Sequence, residues 1–427
     1  MKDVVETTTA SGPSTRRVLF ASLVGTAVEF YDFYVYATAA SLVLGPLFFP
    51  AADPGAQLLS AYATFALAFI ARPVGGWVFG HFGDRIGRKS TLVASLLLMG
   101  GSTIAIGVLP TYASAGWWAP LFLCALRFCQ GFGLGGEWGG AALLAVENAP
   151  PGYKARFGMF PQLGAPVGYV AANGLFLLLN LVLTKEQFRE WGWRLPFIAS
   201  VALVGVGLWV RLKLTETPAF AQALKEAPPS HVPLAEVLKR HLRPLVAGVF
   251  TVVSVFAVYY VITAFALGYG VGALRYPYAA FLSVQLGAIG FMALGIVASA
   301  CWADAFPARK VLMTACLVTA PMSFLLAPMM GSGSLLAIWA FLSVAMFVMG
   351  FTYGPMGAFL PALFPARVRY TGASMAFNIG GILGGGLTPI IAQSLAKSGG
   401  LRFVGYYVAA AGLISFLALS SLKPQED

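Results

Sequence analysis

Charge is scarce in this sequence: Asp, Glu, Lys and Arg make up 10% of its 427 residues, where soluble domains carry about 25%. Histidine occurs three times and cysteine four times. His81, His231 and His241 are far apart in segments read as polar loops, which gives no metal site and no Ser-His-Asp set at membrane depth. Cys124, Cys129, Cys301 and Cys316 lie in or beside apolar runs without metal-ligand spacing, so they are read as small buried hydrophobes, with neither a disulfide framework nor a zinc site. A GK[ST] phosphate loop is missing as well. The expectation is a protein that is not an enzyme and uses no cofactor.

Hydrocarbon takes the place of charge. Hydrophobic residues make up 59% of the chain, and the mean hydropathy is +0.80. Twelve runs are long enough to span a bilayer, at about 18–49, 57–80, 91–110, 117–147, 157–182, 194–213, 244–270, 278–302, 311–330, 334–364, 370–396 and 401–421. A net charge of +11 suggests nucleic acid at first, but the excess sits in short segments between apolar runs and forms no basic stripe. With the N-terminus inside, 19 Lys and Arg fall on the inner side and six on the outer, which predicts that both termini are cytoplasmic.

The resulting plan is an all-α membrane protein of twelve transmembrane helices in two six-helix halves. Residues 1–17 form a retained cytoplasmic tail, 18–213 the first half, 214–243 a cytoplasmic linker with amphipathic helices, 244–421 the second half and 422–427 a second tail. An internal repeat supports the division. "GDRIGRKSTL" after the second run matches "ADAFPARKVL" after the eighth, pairing Asp84 with Asp304 and Lys89 with Arg309 at an offset of 220 residues. The second copy lacks two arginines, at Ala305 and Ala308.

Against this apolar background a few ionisable groups stand at membrane depth. Gly25, Glu29, Asp32 and Tyr36 share one face of the first helix, and Glu29 and Asp32 lie roughly 18 to 22 Å above Arg17. Two acids one turn apart in a low dielectric repel, so they are expected to share a proton unless a cation compensates. Arg127 lies about 14 Å below the outer end of the fourth helix, and Arg72 about 12 Å from the inner end of the second. Glu137, in "GGEWGG", falls at a level similar to Arg72, and the two are provisionally paired. Charges at such depth point to function by default, the plainer alternative being permanent salt bridges that set helix packing. Glycines crowd the fourth and eleventh runs, at Gly131, Gly133, Gly135, Gly136, Gly139 and Gly140 and at Gly380, Gly381, Gly384, Gly385 and Gly386, and close helix packing is the favoured reading. The second half is nearly free of charge within its spans, with Tyr259, Tyr260, Gln285, Tyr353 and Asn378 as its main polar candidates. Charge chemistry is therefore expected in the first half.

"GHFGDRIGRK" at 80–89 and "RFCQGFGLGG" at 127–136 resemble signatures of the major facilitator superfamily. "EFYDFYVYATAASLVLGPLFFP", "GLGGEWGGAALLAVENAPPGYKARFGMFPQLGAPVG" and "LFPARVRYTGASMAFNIGGILGGGLTPIIA" narrow the resemblance to its metabolite:proton symporter family, whose members carry shikimate, 2-oxoglutarate, citrate and related acids, or proline and betaine. The resemblance implies a monomeric, proton-coupled importer of a small organic anion in the bacterial inner membrane, working by alternating access. It also implies a central cavity lined by the first and fourth helices, which makes Arg127 the partner expected for Glu29 and Asp32. These three are the proton-coupling candidates. Tyr36, Arg72, Arg127, Gln130, Glu137, Trp138, Tyr259, Tyr260, Tyr353 and Asn378 are the substrate-binding candidates. A cytoplasmic gate is implied at Gly80, Asp84, Arg85, Gly87, Arg88, Glu147, Arg156, Asp304 and Arg369. Carriage of a zwitterion such as proline or betaine, or export of amphiphilic compounds, is the alternative.

Overall fold

The computed structural model describes residues 15–49, 54–86, 88–212 and 233–422. Within hydrocarbon every main-chain polar group must find a partner inside the protein, and helices meet that demand locally. Twelve helical rods result. They are α1 (Thr15–Ala39, Ala40–Leu44 and Gly45–Phe48), α2 (Pro54–Ile86), α3 (Arg88–Val108), α4 (Trp118–Leu134 and Glu137–Glu147), α5 (Lys154–Val182) and α6 (Leu195–Leu212). The second half holds α7 (Leu242–Tyr260, Val261–Phe265 and Ala266–Gly272), α8 (Tyr278–Ala305), α9 (Ala308–Ser323 and Leu326–Met330), α10 (Leu335–Tyr353 and Met356–Ala362), α11 (Arg369–Gly381, Ile382–Gly386 and Thr388–Gly399) and α12 (Leu401–Ser421). Among the described residues, nine helices are long and apolar enough to cross a membrane by themselves. Short turns break α4 and α9 into pieces below that length, and α1 carries the two acids.

The two halves repeat one packing scheme. In the first, α1 lies against α5, α2 against α4 and α3 against α6; in the second, α7 lies against α11, α8 against α10 and α9 against α12. Between the halves the main contacts are α5 with α8 and α2 with α11, which the same repeat exchanges. Even a local irregularity is repeated: π-helical turns interrupt α1 from Ala40 and α7 from Val261, 221 residues apart. Such turns mark places where a helix gives up regular geometry, often at functional sites.

Small residues permit the closest approaches. A Cβ on Gly131 would stand 2.0 Å from the Ala68 carbonyl oxygen, and one on Gly350 2.1 Å from that of Met292. The α2–α4 and α8–α10 contacts therefore require glycine for the same reason. Elsewhere the rods turn large apolar side chains outward, among them Phe20, Leu121, Leu181, Leu294 and Leu417, a surface suited to lipid.

Two expectations need correction. Of the cysteines only Cys316 is buried; Cys124 and Cys129 are half-buried and Cys301 is exposed on the outward face of α8. His81 is not in a loop but within α2, because that helix continues past residue 80 to Ile86, whereas His231 lies outside the described residues. In the stretch read as a linker, Pro233–Arg240 is a short helix that buries Pro233 and Val237 and turns Lys239 and Arg240 outward, while 214–232 lie outside the described residues.

Candidate functional site

Where the halves meet, midway along the rods, aromatic rings from both sides interleave. Trp138 of α4 lies flat on Phe377 of α11, with centroids 3.8 Å apart and planes 1° apart. Tyr34 of α1 stacks on Tyr259 of α7 at 5.6 Å. Phe33, Phe65 and Phe69 present edges to Tyr260 at 6.3, 5.3 and 5.5 Å. Polar groups thread through this layer. Arg72 Nε donates to Asn378 Oδ1 at 3.0 Å, Asn378 Nδ2 donates to the Gly135 carbonyl at 2.8 Å, and the guanidinium lies over Phe69 and Phe377 at 5.2 and 5.6 Å. Trp138 Nε1 donates to Gln162 Oε1 at 3.0 Å, and Gln162 Nε2 donates to the Tyr353 carbonyl at 3.3 Å. The structure thus brings Arg72, Trp138, Tyr259, Tyr260, Tyr353 and Asn378 to a single interface.

Tyr36, Arg127 and Gln130 form a second group within the first half. The Arg127 guanidinium lies 3.7 Å from the centre of the Tyr36 ring, donates to the Gln130 side-chain oxygen and approaches the carbonyls of Thr64 and Phe65 at 3.5 Å. The Tyr36 hydroxyl bonds the Thr64 hydroxyl. Tyr260 stands within electrostatic reach of both Arg127 and Arg72 and links the two groups.

Both pairings expected of the buried charges are replaced by others. Asp32 accepts from Ser200 Oγ at 2.6 Å and lies beside Thr103, shut among α3, α4 and α6, so it makes no ion pair with Arg127. Glu29 instead shares a small cavity with Glu137, with Arg72 and Arg211 as the cations around it and Tyr353 across the interface. Glu137, paired by the sequence with Arg72, accepts from Arg211 Nη1 at 2.6 Å and from Ser95 Oγ at 2.8 Å. Rotation about the helix axes, which a count of residues leaves open, decides the partners, and Arg72 stands farther from the inner end than expected, about 21 Å, because α2 runs on to Ile86. Sequence reasoning also missed Arg211, counted with the inner loop charges but only 6% exposed. Its place at the last turn of an apolar span made it look like a membrane anchor. Gln162, Tyr34, Tyr169 and Phe377 were missed too, and the only sequence signal for them was position opposite other candidates.

The Major Facilitator Superfamily model matches residues 22–385. The chain belongs to the major facilitator superfamily. As a member it is a multi-pass membrane transporter and not an enzyme. Within the superfamily it is 50% identical over 413 residues to the inner membrane metabolite transport protein YhjE of Escherichia coli, a match covering 95% of this chain and 93% of the other. It is 37% identical to the shikimate transporter of Escherichia coli over 96% of this chain and 95% of that protein. It is 31% identical to the proline/betaine transporter of Salmonella typhimurium over 96% and 83%. Among solved structures, the xylose transporter XylE of Escherichia coli, in a partially occluded inward open conformation, superposes with a TM-score of 0.76 at 15% identity, over 96% of this chain and 98% of that one; this is a likeness of fold.

At the end of the bundle where both termini emerge, the superfamily's loop signatures meet the other half. Asp304, at the last turn of α8, accepts from the backbone amides of Ala155 and Arg156 at 2.8 and 3.3 Å and forms an ion pair with Arg156 Nε at 3.2 Å. One carboxylate of the second half thereby caps the start of α5 in the first. Gly80 packs against the Tyr370 ring, and the Tyr370 hydroxyl donates to the Gly136 carbonyl. Arg369 Nε donates to the nearby Phe364 carbonyl at 3.2 Å, a local bond that joins no other helix, and Glu147 closes α4. Gly87 and the side chains of Asp84, Arg85 and Arg88 lie outside the described residues. Arg309, the repeat partner of Lys89, donates to the carbonyls of Leu419 and Ser420 at 2.8 and 2.9 Å and so holds the end of α12.

Proposed function

We propose that this transporter is a proton-coupled symporter that imports a small organic acid by alternating access, as a monomer, with both termini in the bacterial cytoplasm. One observation carries the reading. Arg72 is buried at the meeting of the halves, held by an amide and two aromatic rings, and among the described residues no carboxylate lies within ion-pair distance of it. A buried cation without a counter-ion costs several kcal/mol. An anionic substrate supplies the missing charge, and it does so at the one level where both halves can close on it. Tyr259, Tyr260, Tyr353, Trp138 and Asn378 surround that position with ring faces and hydrogen-bonding groups. Arg127 with Tyr36 and Gln130 holds a second positive charge behind Tyr260. Glu29 and Asp32 carry the coupling proton, and Asp304 with Arg156 is part of the cytoplasmic gate. Homology to a shikimate transporter and to an inner membrane metabolite transporter supports the substrate class and the membrane.

The ring-lined interface favours one second reading, a zwitterion whose ammonium rests on aromatic faces while Arg72 takes its carboxylate; similarity to a proline/betaine transporter supports it. Counterflow in proteoliposomes with shikimate, dicarboxylates, tricarboxylates, proline and glycine betaine separates the two. Under an imposed inward proton gradient, Glu29→Gln and Asp32→Asn are expected to lose concentrative uptake by about 100-fold, a few kcal/mol of coupling, while equilibrating counterflow persists. Retention of pH-driven accumulation in both variants refutes proton coupling through these acids. Wild-type affinity for acids in Arg72→Gln refutes the anion site.

A further inference from the structure

Between Glu29 and the end of the bundle that carries the termini lies a small cavity of about 30 Å³, lined by Ser22, Thr26, Glu29, Glu137, Leu144 and Arg211. A space above roughly 10–15 Å³ holds a water when polar partners surround it. Three polar atoms of its lining residues, Ser22 Oγ, Glu29 Oε2 and Glu137 Oε2, are buried without a hydrogen-bond partner, and the residues themselves are 4%, 2% and 1% exposed. Leu144, at the far end of this lining, is one turn from the end of α4 at Glu147, on the order of 5 Å along the axis. Arg211 bridges the Glu137 carboxylate to the Leu92 carbonyl, at 2.6 and 2.5 Å, on the side of α3 nearest that end.

We propose that this cavity is the inner exit of the coupled proton, hydrated and separate from the substrate opening, and that Arg211 is its stopper. The proposal rests on the proton-coupling reading above. Glu29 faces Glu137 from α4, Arg211 from α6, Arg72 from α2 and Tyr353 from α10, and Ser95 of α3 bonds the same Glu137. Two carboxyl groups holding one proton carry one negative charge, which Arg211 balances. That leaves Arg72 free to take the charge of the substrate. In the exit step the Glu29 O–H bond breaks and the proton passes through water to Glu137 Oε2, leaving Glu29 as a carboxylate. As Arg211 swings away from Leu92, the Glu137 O–H bond breaks toward water on the terminal side, and the carboxylate left behind regains Arg211 as its ion pair. Each step moves one proton and no electrons. Arg211 acts as a positioning residue, since it holds the acids and the closure without itself exchanging the proton.

Ser22→Cys, in a background with Cys124, Cys129, Cys301 and Cys316 replaced by serine or alanine, reports access from the terminal face by its rate of reaction with a small charged methanethiosulfonate. The expected result is slow labelling with Arg211 present, labelling at least 10-fold faster in Arg211→Ala, a rate near wild type in Arg211→Lys, and no protection by transported acids. A proton leak that needs no substrate accompanies Arg211→Ala and disappears when Glu29→Gln is added. If Arg211→Ala fails to fold, Arg211→Gln with Glu137→Gln removes both charges together and is read by labelling rate alone, with no leak expected because the relaying acid is gone. Unchanged labelling, or protection by cargo, overturns the cavity and its stopper. Faster labelling without the leak overturns the exit route. Persistence of pH-driven uptake in Glu29→Gln is a separate result that strikes the coupling reading alone.

Discussion

The two halves share a packing scheme down to a π-helical turn, yet they divide their chemistry unevenly. Among the described residues, six charged residues are buried as a whole, Glu29, Asp32, Glu137, Arg72, Arg127 and Arg211, and all belong to the first half; the second half adds only the Asp304 side chain, 6% exposed, at the end of the bundle. The second half answers with Tyr259, Tyr260, Gln285, Tyr353, Phe377 and Asn378, which stack and hydrogen-bond but carry no charge. Three acids and three arginines stand within one six-helix half, and of them only Glu137 and Arg211 form an ion pair, so the electrostatic machinery is assembled there apart from the other half. The neutral half presents an uncharged surface to the charged one. The repeat shares its scaffold, and the costly groups stand mainly in one copy.

Removing one member of a buried pair is the sharpest way to test this division. Glu137→Ala leaves Arg211 without its carboxylate and is expected to lower stability by about 3–5 kcal/mol, read as thermal unfolding in detergent. Arg309→Ala, a charge loss in the second half, removes only a cation at a helix end and is expected to cost about 0.3–1 kcal/mol. Equal losses in the two variants would break the comparison. Next in size is the contact that joins the unlike surfaces. Trp138→Ala and Phe377→Ala, with the double variant, should show a coupling of about 0.5–1.5 kcal/mol, in substrate affinity as well as in stability if the stack belongs to the closed site. Smallest is the ion pair at the terminal face. Arg156 is partly exposed, and Arg156→Ala should cost about 0.2–1 kcal/mol. Asp304→Ala should cost more, because it also abandons two backbone amides, and should raise thiol labelling from the terminal face above that seen in Arg156→Ala.

Much of this architecture is written in hydropathy. The twelve spans, the offset of the repeat, the glycine seams and the concentration of charge in the first half all follow from which residues tolerate lipid and which do not. Within the site, Arg72, Trp138, Tyr260, Tyr353 and Asn378 were recognisable as polar or amphipathic groups at depth. Their partners were not, because a helix of known length still has an unknown rotation. The same depth suits Arg72 to Glu137 or to Asn378, and only the packed bundle selects Asn378. Arg211 shows the other limit. A basic residue near the end of a span satisfies the topology rule whether its side chain turns out to the interface or back into the core, and here it turns back.

Asp304 grips the beginning of α5 chiefly through main-chain amides, with Arg156 added on top. A clasp that holds peptide groups is indifferent to which side chain stands at the clasped position, so drift at 155 or 156 leaves it fastened. Its release therefore depends on the carboxylate leaving, by mutation, by protonation or by a shift of α8, and a search for escape variants should turn up changes at that acid far more often than at the residues it holds.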